Sequence, residues 1–255
     1  MNSFLASTAQ TINGEITPLS PNSSPAKDRE QRDSAVAGEV KAVLFDLDGT
    51  FADTAPDLAA ALNFVRAARN LPPLPLEVLR PQASHGSAGL LKVGMNVTPD
   101  SPDFEVLRDI FLNHYAGNIC VHTKLFDGIA ELVDECERRG ILWGIITNKP
   151  KIYTLPLMQA LGYADRASCL VSGDTCANAK PHREPMLRAC EIINIAPEHC
   201  LYLGDDVRDM QAANAALMRG IIARYGYISE DAVLKTWNAH AIIGHPMELL
   251  TLIPL

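Results

Sequence analysis

Asp46 and Asp48 stand two residues apart in Val43-Leu44-Phe45-Asp46-Leu47-Asp48-Gly49-Thr50, at the end of an apolar run. Two carboxylates so placed can divide nucleophilic work from proton transfer. Further polar groups follow at wide intervals: Thr147-Asn148, Lys180-Pro181, and Gly204-Asp205-Asp206 with Asp209. Together they supply several carboxylates, a hydroxyl and one ammonium. Clustered acids repel one another unless they share a cation. Oxygen ligands without His or Cys point to a hard cation, and a phosphate-handling site points to Mg²⁺.

These groups need elements that end beside one another. Lys41–Phe45 reads as a short buried strand, polar-free from Ala42 onward, as in parallel sheets covered on both faces. Asp53 or Thr54 is expected to cap the next helix, with Pro56 in its first turn and Leu58, Leu62 and Val65 along one face. Helical stretches follow at roughly 75–93, interrupted at Ser84-His85-Gly86-Ser87, and at roughly 101–117. Residues 54–120 therefore read as helix without strand.

From Phe126 the pattern alternates. Asp127 is expected to cap a helix that closes at Arg138-Arg139-Gly140. Strands are predicted at 141–146, 168–171, 200–203, 220–223 and 241–243. Helices are predicted between them at 151–161, 184–194 and 206–216, with a last one at 246–253. Such βαβ order gives an α/β fold, a doubly wound parallel sheet with helices on both faces. Ligands bind beyond the carboxyl ends of such strands, where all four polar signals fall.

The remaining composition bounds the answer. The chain has 255 residues, 47% of them hydrophobic, enough for one core plus a small second domain. A net charge of -8 argues against nucleic acid, which needs a basic patch. Cys120, Cys136, Cys169, Cys176, Cys190 and Cys200 form no CxxC pair and read as free thiols in a reducing cytoplasm. No apolar run approaches the ~18 residues of a membrane span. Residues 1–38 are rich in Ser, Thr, Asn, Pro and Ala and read as a disordered tail. They lack the basic and apolar regions of a secretory signal.

Asp46-x-Asp48-Gly49-Thr50, Thr147, Lys180 and Gly204-Asp205-Asp206-x-x-Asp209 resemble the four motifs of the haloacid dehalogenase-like (HAD) hydrolases, in order. One motif alone would be weak; four, each at a strand end, are specific. The resemblance covers residues 40–253 and implies a Rossmann-like core, 39–53 and 121–255, with an inserted α-helical cap of the C1 type at 54–120. It implies a Mg²⁺-dependent phosphatase that passes through an aspartyl-phosphate. Asp46 would be the nucleophile and Asp48 the general acid and then base. Thr147 would bond the transferring phosphoryl oxygen, and Lys180 would offset charge. Asp46, the Asp48 carbonyl and Asp205 would bind the metal. Asp206 and Asp209 would act from behind, holding metal-bound water or Lys180.

Finer similarity divides between two branches. Asp53-Thr54-Ala55-Pro56-Asp57-Leu58 is similar to phosphoglycolate phosphatases. Val121–Gly128, Trp143-Gly144 with Thr147-Asn148-Lys149-Pro150, and Arg224–Ile228 look more like N-acetylmuramic acid 6-phosphate phosphatases. A small phosphorylated metabolite is the expected partner of a cytoplasmic enzyme, without nucleic acid or membrane, as monomer or homodimer. A sugar-phosphate mutase, a dehalogenase and a non-catalytic binding module are the competing readings. Thr50 disfavours the first, Asp48 with Asp205 the second, and the intact acids and Lys180 the third.

The chain departs from the family pattern at Phe51, His182-Arg183, His85 and Leu217. Thr50, Asn148 and His85 are the candidate substrate contacts. Lys149, Lys92 and His122 read as solvated surface residues, Tyr225 and Tyr227 as structural, and Met158, Met186 and Met210 as core filling.

Overall fold

The computed structural model describes residues 39–229 and 232–253; the tail expected at 1–38 lies outside them. Strand β1 (Ala42–Phe45) lies at the centre of a six-stranded parallel sheet. With β4 (Leu142–Ile146), β5 (Cys169–Val171), β6 (Cys200–Gly204), β7 (Arg219–Ala223) and β8 (Ala241–Ile243), its order is β5-β4-β1-β6-β7-β8. The direction of crossing reverses at β1, which opens a crevice beyond its carboxyl end.

Alternation along β1 explains why its run is apolar throughout. Val43 and Phe45 face one layer, where they meet Ile129, Leu132 and Trp143. Ala42 and Leu44 face the other, with Met186, Ala189 and Tyr202. Both layers are buried, so each large aliphatic or aromatic side chain contributes about 1.5–3 kcal/mol. Phe51, unusual at its position, stacks on Trp143 at 5.5 Å and meets Phe45 and Tyr163 edge-on, each at 5.6 Å.

Between β1 and the rest of the sheet stand four helices: α1 (Ala55–Ala68), α2 (Leu76–Leu79), α3 (Gly86–Met95) and α4 (Phe104–Gly117). They share a separate core of Leu58, Leu62, Leu90, Phe104, Leu107 and Phe111. The alternation after α4 adds α5 (Ile129–Arg138), α6 (Lys151–Ala160), α7 (Glu184–Ile193) and α8 (Val207–Ala215).

Several local expectations are corrected. The 75–93 stretch breaks earlier, into α2 and a 3₁₀ segment at Arg80–His85, and α3 begins at Gly86. The terminal 246–253 element is 3₁₀, Pro246–Leu252. Asp53 and Thr54 make no side-chain cap on α1; Asp53 pairs with Arg80, and Thr54 bonds Asp48. Gly128, not Asp127, is the N-cap of α5, and no side chain caps that helix. A two-stranded antiparallel ribbon, β2 (Ala52–Asp53) with β3 (Lys124–Leu125), pairs the chain just before the four helices with the chain just after them. Leu217 does take a left-handed conformation, φ 60°, which is strained for a residue with a Cβ.

Candidate active site

β1 ends on Asp46, whose N–H donates to the Leu203 carbonyl of β6 at 2.8 Å. The loop then turns back over the sheet, and Gly49 permits it. Its φ is +90°, and a Cβ there would stand 2.1 Å from Asp205 Oδ2. Asp46 and Asp205 are thereby drawn together at the ends of adjacent strands. With Asp209 they place carboxylate oxygens within 4.8 Å of one another, all buried.

One ammonium answers part of this charge. Lys180 Nζ donates to Asp46 Oδ1 at 2.8 Å and to Asp209 Oδ1 at 2.7 Å. Burial opposes its charge, but Asp209 and Asp46 hold its pKa above the ordinary lysine value. Burial pushes the Asp46 carboxyl up to about 7, against the pull of Lys180 and with the push of Asp209. Asp205 receives only neutral donors: Thr50 Oγ1 at 3.2 Å, Ser84 Oγ at 3.1 Å and the Tyr227 N–H at 2.8 Å. Burial, with Asp46 and Asp209 nearby, drives its carboxyl well above the carboxylate range. An all-oxygen cluster short of positive charge fits a hard divalent cation.

Asp48 is held differently. Thr54 Oγ1 at 2.5 Å and Lys149 Nζ at 2.7 Å both donate to its Oδ1. Among the described residues both side-chain donors to Asp48 take Oδ1, and Asp48 lines the cavity. Lys149 was expected to be solvated; its side chain is only 8% exposed. It also lies 5.0 Å from the centre of the Tyr115 ring on α4. No sequence spacing signals this, because the burial comes from a helix more than thirty residues earlier.

Other candidates fall on both sides of expectation. Thr147 is buried, lines the cavity and accepts the Lys149 N–H at 3.1 Å, which leaves its hydroxyl proton free to donate. Asn148 bonds both backbone groups of Lys180, each at 2.9 Å, so its amide positions the lysine, and it also lines the cavity. Thr50 is fully buried, donates to Asp205 and is not among the residues that line the cavity. Asp206 and Asp209 form a reciprocal capping box on α8. Asp206 also pairs with Arg208 Nε at 2.8 Å, and its carboxyl is held below the usual range although burial opposes this.

The 80–85 segment reaches these strand ends from above. Arg80 pairs with both oxygens of Asp53, at 2.8 and 3.0 Å, and Arg208 donates to the Ser84 carbonyl at 2.9 Å. His85 Nε2 stands 3.8 Å from Asp206 Oδ2 and lines the cavity. Burial, and then Arg208, lower its pKa. Beneath lies a cavity of about 310 Å³, with Asp46, Asp48, Thr147 and Lys180 among its lining and Phe111, Tyr115 and Tyr153 on its apolar wall.

The profile of the family described as haloacid dehalogenase-like hydrolase matches residues 40–216. An N-acetylmuramic acid 6-phosphate phosphatase of Pseudomonas aeruginosa is 41% identical over 211 residues, 83% of this chain and 93% of its own. A phosphoglycolate phosphatase of Xylella fastidiosa is 41% identical over 206 residues, 81% of this chain and 90% of its own. Among solved structures, one described as a predicted phosphoglycolate phosphatase from Haemophilus somnus aligns with a TM-score of 0.76. It is 23% identical, over 86% of this chain and all of its own, and is a likeness of fold.

Proposed function

The chain belongs to the haloacid dehalogenase-like hydrolases, and we propose that it is a cytoplasmic, Mg²⁺-dependent phosphatase of small phosphomonoesters. The observation that carries this reading is the division of labour at the cavity floor. Asp46 lies against Lys180 and beside Asp205, while both side-chain donors to Asp48 take one carboxyl oxygen.

Asp46 attacks phosphorus, forming an aspartyl-phosphate as the ester oxygen leaves. Asp48, entering as the acid, gives its proton to that oxygen. The Asp48 carboxylate then takes a proton from water. The resulting hydroxide displaces phosphate from Asp46 and restores the enzyme. The Thr147 hydroxyl and Lys180 ammonium donate to phosphoryl oxygens as charge builds on them. Asp46, Asp205 and the Asp48 carbonyl would hold Mg²⁺, which supplies positive charge that lets a phosphate dianion approach a carboxylate.

Two substrates follow from the relatives. The first reading is phosphoglycolate phosphatase type, 2-phosphoglycolate giving glycolate and phosphate. The second is N-acetylmuramic acid 6-phosphate, and the cavity favours it: about 310 Å³ with an aromatic wall is more room than a two-carbon acid fills. Side-by-side kcat/KM decides. We expect at least tenfold preference for the sugar acid; the reverse ratio restores the first reading, and a decisive preference for a third compound overturns both. Asp46→Ala and Asp205→Ala should each abolish turnover, and near-normal activity in either overturns the mechanism.

A further inference from the structure

The cavity has a charge that the reaction does not use. Four Lys and Arg side chains line it: Arg108, Lys149, Lys180 and Arg208. Lys180 is engaged by Asp46 and Asp209, Lys149 by Asp48, and Arg208 by Asp206 and the Ser84 carbonyl. Arg108 has one recorded partner among the described residues, Glu105 at 3.4 Å. That is an (i, i+3) pair whose side chains are 41% and 71% exposed, so it holds the guanidinium weakly.

Arg108 shares a face of α4 with Phe111, Leu112 and Tyr115, which all line the same cavity. Tyr115 is buried against Lys149, whose ammonium lies 5.0 Å from its ring centre. This wall of the cavity therefore offers an apolar strip and a guanidinium held only by an exposed glutamate. The anion site at the floor is separately equipped with Thr147 and Lys180.

We propose that Arg108 is a specificity-determining residue that binds a second anionic group, a carboxylate, on the phosphomonoester. The substrate class is then a phosphorylated carboxylic acid, with its carbon body against Phe111 and Tyr115. A guanidinium suits this work because its planar fork matches a carboxylate in two parallel hydrogen bonds. The inference rests on the phosphatase reading, and it applies to either substrate considered above, since both are carboxylic acids.

Matched pairs test it: N-acetylmuramic acid 6-phosphate against N-acetylglucosamine 6-phosphate, and 2-phosphoglycolate against its uncharged amide, with 4-nitrophenyl phosphate as reference. Wild type should favour the acid in at least one pair by tenfold or more. Arg108→Ala should lower kcat/KM for that acid by ten- to a hundredfold, mainly through KM, with the neutral partner and the reference ester within twofold. Arg108→Lys should recover part of the loss. An equal fall on acid and neutral partner, or an unchanged acid, overturns the assignment of Arg108. Hydrolysis of the reference ester without preference in either pair overturns the carboxylate class. A wild type that hydrolyses no phosphomonoester, the reference ester included, overturns the phosphatase reading instead.

Discussion

Lys149 stands in the turn between β4 and α6. After a strand end, a lysine is a solvated residue far more often than not. Here it is covered by Tyr115 and donates to the acid of the reacting pair at 2.7 Å. With Thr54 it fixes one Asp48 oxygen. Charge-assisted hydrogen bonds are about twice as strong as neutral ones, so removing it frees Asp48 to rotate. Lys149→Met should lower kcat by about ten- to a hundredfold with little change in KM, the mark of an interaction made mainly in the transition state. Lys149→Arg should recover part of this. Unchanged kcat in the methionine variant, read by steady-state kinetics, would show that Asp48 needs no such anchor. The places of Asp46, Asp48, Thr147 and Asp205 in the fold were legible because each comes just after a strand, and strand ends are marked by apolar runs; Lys180 lies nine residues beyond β5 and carries no such mark. Side-chain direction is not legible in this way, because it depends on what packs around the residue: Asn148 turns to the Lys180 backbone and Thr50 to Asp205.

Elements with strong periodicity were readable, and those held by a few polar groups were not. Helix α1 announced itself through Leu58, Leu62 and Val65, and β8 through Ala241–Ile243. The β2–β3 ribbon did not, because two-residue strands carry no period. Nor did the clamp beside it. Asp57, in the first turn of α1 and 2% exposed, accepts the N–H groups of Val121, His122 and Thr123 and the Thr123 hydroxyl. One carboxylate thus ties the first of the four inserted helices to the chain that follows the last of them. Hydrogen bonds to a charged acceptor contribute about 1.5–3 kcal/mol each, less when they share one group. Asp57→Ala would leave buried donors unpaired, and it should cost about 4 kcal/mol in urea unfolding. Asp57→Asn should cost clearly less, since it keeps an acceptor. A loss below about 1 kcal/mol in the alanine variant would mean that water replaces the carboxylate without strain.

The whole molecule converges on a charge imbalance. The topology brings Asp46, Asp205 and Asp209 to one point, and Lys180 serves only two of them. This was foreseeable from strand order, since acids after β1 and β6 must meet when those strands are neighbours. That Asp205 would receive no cation was not foreseeable, because its donors come from Thr50, Ser84 and Tyr227, far apart in sequence. The consequence for stability has a definite sign. Burial raises Asp46 from 3.8 to about 7 and raises Asp205 well above 3.8. An acid raised on folding binds its proton more tightly in the folded state. Its contribution is complete below the unfolded value and is lost as pH rises through the folded one. Metal-free protein should therefore lose stability between about pH 4 and pH 7 through Asp46, and lose more as the pH rises further through Asp205. A divalent cation that binds only the folded, ionised cluster reverses the loss, by about 2.7 kcal/mol at a hundredfold excess over Kd. That is several degrees of Tm for a chain of this size. The gain in Tm from saturating Mg²⁺ should then be larger at pH 8 than at pH 5. Asp205→Asn should raise the metal-free Tm at pH 8, flatten its pH slope and remove the Mg²⁺ response. Calorimetric Tm values with and without the metal at both pH values decide the matter. An equal Mg²⁺ gain at the two pH values, or a gain that survives in Asp205→Asn, would place the cation somewhere other than among these acids.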